Sequence, residues 1–147
     1  MKLRLIPLSV ALCLGLASAA QAADHEVRML DSGADGSMVF EPGYLKVAPG
    51  DTVRFVPAGM AHNSASAFVP DGAEAWKGPM DKPFSVTLDA EGVYLYQCDP
   101  HLPLGMVGVI QVGDAVNAED AAAAAEALKA NIAMGKERLD KYLGQVD

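Results

Sequence analysis

An all-β sandwich or barrel followed by a short helical tail is the fold class this sequence predicts. Short runs rich in Val, Phe, Tyr and Thr between residues 26 and 112 are cut by Gly, Pro and Asp turns. Within those runs apolar residues alternate with polar ones, the period of a strand with one buried face. Beyond residue 114 the composition shifts to Ala, Leu, Glu and Lys, which favour helix. The 147 residues suffice for one domain with a small appendage.

Taken in order, the first segment stands outside that fold. Residues 1–22 open with Lys2 and Arg4, run through an apolar stretch over 5–16, and close on Ala20-Gln21-Ala22. This is the layout of a secretory signal peptide cleaved before Ala23. Its apolar part is too short for a permanent membrane span, and no other stretch of the sequence reaches that length. A soluble chain exported to the periplasm, with no membrane anchor, is expected. Cleavage removes Cys13 and leaves Cys98 as the one thiol, so no internal disulfide can form. A lone thiol in an oxidising compartment is expected to be buried, paired with another chain, or bound to metal. Loss of Lys2 and Arg4 leaves 9 basic residues against 19 acidic ones, a net charge near −10. Such a surface argues against nucleic-acid and anionic-lipid binding.

The sandwich is expected over residues 23–113. Val53 and Phe55 flank Arg54 in a strand over 52–56, opened by the turn Pro49-Gly50-Asp51. Phe84, Val86 and Leu88 alternate with Ser85 and Thr87. Ala90-Glu91-Gly92 then turns the chain into a β-forming run over 93–97 that ends on Cys98, and a last strand is read over 106–112. Residues 114–147 form the extension. Asn117 is a favourable N-cap, with Asp120 three residues on, for a helix over 121–130. After Gly135 a second helix is read over 136–143, with Leu139 and Leu143 on one face. Both helices are expected to lie against one sheet.

The chemistry concentrates in Cys98-Asp99-Pro100-His101-Leu102-Pro103-Leu104-Gly105-Met106. A thiolate, an imidazole and a thioether stand at the spacing C-x2-H-x4-M on a short loop between two predicted strands, which can turn all three toward one point. His62, beyond the strand ending at Val56-Pro57, is the natural fourth group. Two imidazoles and a thiolate with a weak axial thioether form the ligand set of blue-copper electron-transfer sites. Cu(I) favours soft sulfur and few ligands, whereas Cu(II) accepts imidazole and tolerates more. A fixed set that suits neither fully needs little rearrangement when an electron arrives. The residues therefore predict one type 1 copper ion held by His62, Cys98, His101 and Met106 in a one-electron carrier that is not an enzyme.

Rival readings fare worse on the same residues. A substrate-reducing copper enzyme needs a second, open site built from further histidines, and after His62 and His101 the mature chain has only His25. A periplasmic copper-binding or delivery protein is the alternative reading, but its usual Met or Cys clusters are missing, the remaining methionines being scattered. Zinc is disfavoured because a thioether is a poor zinc ligand. His25 and Asp99 read as solvated residues, and Trp76 as packing.

In these residues the chain resembles the cupredoxins and, among them, the pseudoazurin family. The resemblance is carried by Met38-Val39-Phe40-Glu41-Pro42, Pro49-Gly50-Asp51-Thr52-Val53, His62-Asn63, the segment from Cys98 to Met106 followed by Val107-Gly108-Val109, and the two C-terminal helices. It implies an eight-stranded Greek-key sandwich with copper near one end. It further implies that Asn63 ties the two ligand loops together and directs its backbone N–H at the Cys98 sulfur. His101 would sit in an apolar patch with Met38, Leu102, Pro103 and Leu104. Through that patch a monomer would pass electrons to nitrite reductase, another periplasmic reductase or a c-type cytochrome. Where the family commonly rings the patch with lysines, this chain has Ser32, Met60 and Gln97, retains Lys77 and adds Asp99. Docking mainly through apolar surface, with weak or inverted salt dependence, is therefore expected. Asp31 stands where the family commonly has Asn, at a position expected near the ligand cysteine.

Overall fold

The computed structural model describes residues 21–147; the expected signal peptide lies outside them except for Gln21 and Ala22. Eight strands, β1 (Asp24–Gly33), β2 (Gly36–Glu41), β3 (Tyr44–Val47), β4 (Asp51–Pro57), β5 (Ala65–Phe68), β6 (Phe84–Leu88), β7 (Gly92–Gln97) and β8 (Val107–Val112), precede two helices, α1 (Ala118–Lys129) and α2 (Glu137–Leu143). The strands form two sheets, ordered β2-β1-β4-β6 and β3-β8-β7-β5. The pairs β1/β4 and β3/β8 are parallel and the rest antiparallel, so the chain crosses repeatedly between sheets before closing a sandwich.

Strand periodicity decides which side chains reach the core. In β4, Val53 and Phe55 are fully buried while Arg54 between them is exposed. In β7, Tyr94 and Tyr96 point into the core between the sheets, and Cys98, one step further, continues that inward series. Val93 and Leu95 point the other way, into a second core with Val107 and Val109 of β8. The helices cover that outer face: Ala121 and Ala125 of α1, then Ile132, then Leu139 and Tyr142 of α2 complete the second core. This explains why β7 and β8 are buried on both faces and read as nearly continuous apolar runs. Each large side chain withdrawn from water here contributes about 1.5–3 kcal/mol.

The two helices lie against one sheet, α1 on β7 and α2 on β8. Asn117 does precede α1, yet its side chain does not cap the helix. It accepts a hydrogen bond from the Val93 N–H at 2.6 Å and donates to the Val93 carbonyl at 3.1 Å, pinning the tail to the start of β7 instead. Among the described residues, no helix is long and apolar enough to cross a membrane.

Candidate metal centre

Two loops at one end of the sandwich supply the candidate ligands. His62 lies between β4 and β5 and is fully buried. Its backbone is fixed on both sides by Asp81, whose carboxylate accepts the His62 N–H at 2.9 Å while the Asp81 N–H donates to the His62 carbonyl at 2.8 Å. The second loop joins β7 to β8. The Cys98 N–H donates to the Met106 carbonyl at 3.0 Å, closing the base of the loop. The N–H groups of Leu104 and Met106 both bond the His101 carbonyl. Gly105, at φ 74°, supplies the left-handed turn after a single 3₁₀ turn over Leu102–Leu104. A Cβ there would lie 2.6 Å from the Met134 carbonyl, so only glycine lets the loop rest against the helical tail.

The tail secures this loop further. The Arg138 guanidinium of α2 donates to the carbonyls of Leu104 and Gly105 in the ligand loop and of Ser37 and Met38 in β2. The N–H groups of Ala133 and Met134 both donate to the Pro103 carbonyl. Beyond lying against one sheet, as expected from the sequence, these helices brace the loop that carries three of the four candidate ligands.

Three donor atoms meet between the loops. The Cys98 sulfur lies 3.9 Å from His62 Nδ1 and 3.6 Å from His101 Nδ1, and the two Nδ1 atoms are 3.2 Å apart. Among the described residues this is the one cluster of His, Cys or acidic side chains placed to hold a metal ion. The point equidistant from the corners of that triangle is about 2.1 Å from each, close to the usual lengths of bonds from a transition metal to imidazole nitrogen and thiolate sulfur. Two imidazole lone pairs and a sulfur facing one another in a buried pocket repel unless a cation lies between them, so the donor set fits a thiophilic metal. Met106 is fully buried in the same core cluster as Cys98, with its backbone hydrogen-bonded to both Cys98 and His101.

Opposing effects meet at the sulfur, and burial outweighs hydrogen bonding. Burial pushes the Cys98 thiol up, while the backbone N–H groups of Asn63 and His101, both directed at the sulfur, work the other way. The Asn63 contact agrees with the expectation from the resemblance. The Asn63 side chain links the loops as well, accepting the Asp99 N–H at 2.8 Å and donating to the Asp99 carboxylate at 2.9 Å. Burial, followed by the neighbouring His62, holds His101 below the usual histidine range.

Several side chains differ from the sequence reading. Asp99 is not simply solvated: burial opposes its charge, but hydrogen bonds from Asn63, Lys77 and Gln97 outweigh burial and lower its pKa. Asp31 contacts the candidate ligand His62, accepting from its Nε2 at 2.8 Å. This bond leaves Nδ1 as the lone-pair atom facing the sulfur. Gly59 makes room for it, since a Cβ at that position would lie 2.3 Å from Asp31 Oδ1. His25 is also partnered, through Nε2, by the Asp51 carboxylate at 2.7 Å. Trp76 is packing: it stacks on Phe55 and donates to Ser64 Oγ at 3.0 Å.

At the surface above the loops, Pro103 is exposed, while His101, Leu102, Leu104 and Met38 are half-buried. Met60 and Met134, next to the two loops in sequence and space, are 79% and 59% exposed.

Comparison with known proteins places these features in context. Residues 27–113 match the family model described as copper binding proteins, plastocyanin/azurin family. The chain is 40% identical to a pseudoazurin of Paracoccus pantotrophus, over 95% of this chain and 94% of that one. It is 50% identical to a putative pseudoazurin of Rhizobium leguminosarum bv. viciae, over 67% of this chain and 68% of that one. The crystal structure of a pseudoazurin from Methylobacterium extorquens superposes with a TM-score of 0.72 at 35% identity, covering 84% of this chain and 99% of that one.

Proposed function

Because the chain belongs to the copper-binding plastocyanin/azurin family, and within it to the pseudoazurins, which carry electrons and are not enzymes, we propose that it works in the periplasm with one copper ion held by His62, Cys98, His101 and Met106. The observation that carries this ligand assignment is the convergence of the Cys98 sulfur and two Nδ1 atoms within 3.2–3.9 Å of one another.

Copper, when bound, supplies a Cu(II)/Cu(I) couple that takes up and returns one electron. The protein's part is to keep its donors still. Cys98 is anchored by continuing the inward series of β7, His62 by Asp81 and Asp31, and His101 by its own carbonyl, which accepts the N–H groups of Leu104 and Met106. N–H groups of Asn63 and His101 directed at the sulfur stabilise its thiolate and lower its electron donation, one of the levers that set potential. Met106, buried without exposure, would add a weak thioether donor. His101 is the only one of the four with an edge toward solvent, so its ring would be the port for the electron.

The reading extends to partners. Nitrite reductase, another periplasmic reductase or a c-type cytochrome would dock on the apolar surface of Met38, Leu102, Pro103 and Leu104 around His101. Lys77 is already engaged by Asp99 at 2.9 Å, which weakens any basic docking contact.

The test is to add Cu(II) to purified mature protein and record the visible spectrum. An intense sulfur-to-copper charge-transfer colour, bleached by ascorbate and missing in Cys98→Ala, is expected. A colourless preparation, or colour that survives Cys98→Ala, would overturn the assignment.

A further inference from the structure

The N-terminal end of the sandwich holds a second arrangement of metal-binding groups, far from the first. Among the described residues, Ala23 is the first with hydrogen bonds into the fold: its nitrogen donates to Asp51 Oδ1 at 2.8 Å and its carbonyl accepts the Thr52 N–H at 2.9 Å. Gln21 and Ala22 are exposed and lie outside any strand. Cleavage after Ala22 converts the Ala23 nitrogen from an amide into a primary amine. The mature chain then begins Ala23-Asp24-His25.

We propose that this N-terminus is a second metal site, selective for Cu(II) and Ni(II), in which the Ala23 amine, the backbone nitrogens of Asp24 and His25, and His25 Nδ1 bind one ion in a square plane. The proposal rests on the reading that the signal peptide is cut before Ala23. Four nitrogens at this spacing close three fused chelate rings, of five, five and six atoms. Nitrogen donors in a plane suit Cu(II) and Ni(II) and discriminate against Zn2+ and Ca2+. Binding releases three protons, one from the ammonium and one from each of the two amides; the imidazole enters neutral. Neither internal position is proline, so both amide nitrogens are available.

The structure favours the required imidazole form. His25 Nε2 lies 2.7 Å from Asp51 Oδ2, on the same carboxylate that holds the Ala23 nitrogen. A proton kept on Nε2 by Asp51 leaves the lone pair on Nδ1, the atom that the chelate needs, in the carboxylate–histidine–metal pattern. Closing the plane requires the backbone of residues 23–25 to lift from β4, giving up the pairing of Asp24 with Thr52 and of His25 with Val53 as well as the Ala23 bonds to Asp51 and Thr52. Strand ends open locally at small cost, and Asp24 is already exposed. Seven residues of extended β1 separate Asp24 from Asp31 beside His62, about 23 Å, so the two sites share no ligand.

The experiment uses protein exported with its own leader, its N-terminus read by mass spectrometry, and its first site filled with one equivalent of copper. Titration with Ni(II) is expected to show one further equivalent, with a diamagnetic square-planar spectrum and the release of three protons. A second equivalent of Cu(II) should give a tetragonal EPR signal with nitrogen couplings, beside the blue signal. His25→Ala should weaken Ni(II) binding at least 100-fold, and so should one Gly inserted ahead of Ala23, which keeps the histidine but moves it to fourth place. Asp24→Ala should bind as the unaltered protein does. Failure to take up the second equivalent, or uptake that survives the inserted Gly, would overturn the chelate. A mature chain starting elsewhere than Ala23 would overturn it through the cleavage premise, which the mass spectrum reports separately.

Discussion

Replacing Asp31 with Asn should raise the reduction potential by about 50 mV. The Asp31 carboxylate lies 2.8 Å from His62 Nε2, across the imidazole from the Nδ1 atom that faces Cys98. Adding the width of the ring and a metal–nitrogen bond puts that charge about 7 Å from the metal position. At this distance a unit charge contributes about 2.4 kcal/mol with the effective dielectric of a protein surface. The Asp31 side chain is 55% exposed, so roughly half of that survives solvent screening, about 1.2 kcal/mol. A tenfold change in a one-electron equilibrium is 59 mV and 1.36 kcal/mol, which converts the figure to about 50 mV. The sign follows from charge, because a carboxylate stabilises the more positive oxidised ion and its removal favours the reduced one. Voltammetry on Asp31→Asn measures the shift directly. Gly59→Ala provides a control that keeps the charge: the new methyl would lie 2.3 Å from Oδ1 and push the carboxylate off the histidine, giving a smaller rise in the same direction. An unchanged or lowered potential in Asp31→Asn would refute the assignment of Asp31 as a positioning residue for His62.

Other consequences follow from particular contacts. Arg138→Ala removes four charge-assisted bonds to the carbonyls of β2 and the ligand loop, and should cost about 2 kcal/mol in denaturant unfolding while speeding copper loss to a chelator. Tyr96 has a fully buried hydroxyl without a hydrogen-bond partner, so Tyr96→Phe should stabilise the protein by about 1 kcal/mol, seen as a raised unfolding midpoint. Hydrogen bonds from the Ala23 N–H, His25 and the Ala48 N–H bring the pKa of Asp51 down to about 2. The unfolded chain therefore binds more protons between pH 4 and pH 2, and stability from this group is complete above about pH 4 and lost as pH falls toward 2. Thermal melts across that range should show the loss, and Asp51→Asn should flatten it.

Much of this architecture could be read from local pattern, because it depends on local pattern. The strands over 52–56 and 84–88 were visible since each has one polar face, and 93–97 since it is a β-forming apolar run opened by a turn; β6 has the expected bounds, β4 is longer by one residue at each end and β7 starts one residue earlier. Cys98, His101 and Met106 share one short loop, so their spacing alone announced a common target. The contacts that position the site were hidden for the opposite reason. Asp31 reaches His62 through the pairing of β1 with β4, and Arg138 reaches Gly105 from 33 residues away; neither leaves a mark in its own neighbourhood. Asn117 shows how a correct boundary can carry a wrong reason: its position before α1 was predicted, but the side chain serves Val93 of the adjacent strand. His25 and Asp99 were read as solvated because their partners, Asp51 and Asn63, lie 26 and 36 residues away.

On the proposed ligand assignment, this fold holds two imidazole nitrogens and one thiolate in place so firmly that a bound copper ion would change oxidation state with almost no movement. X-ray absorption at the copper edge, on oxidised and ascorbate-reduced protein at neutral pH, measures this most directly. The expected result is one short sulfur and two nitrogen neighbours in both states, with nearly the same bond lengths. A nitrogen lost on reduction, or a first shell without sulfur, would contradict it.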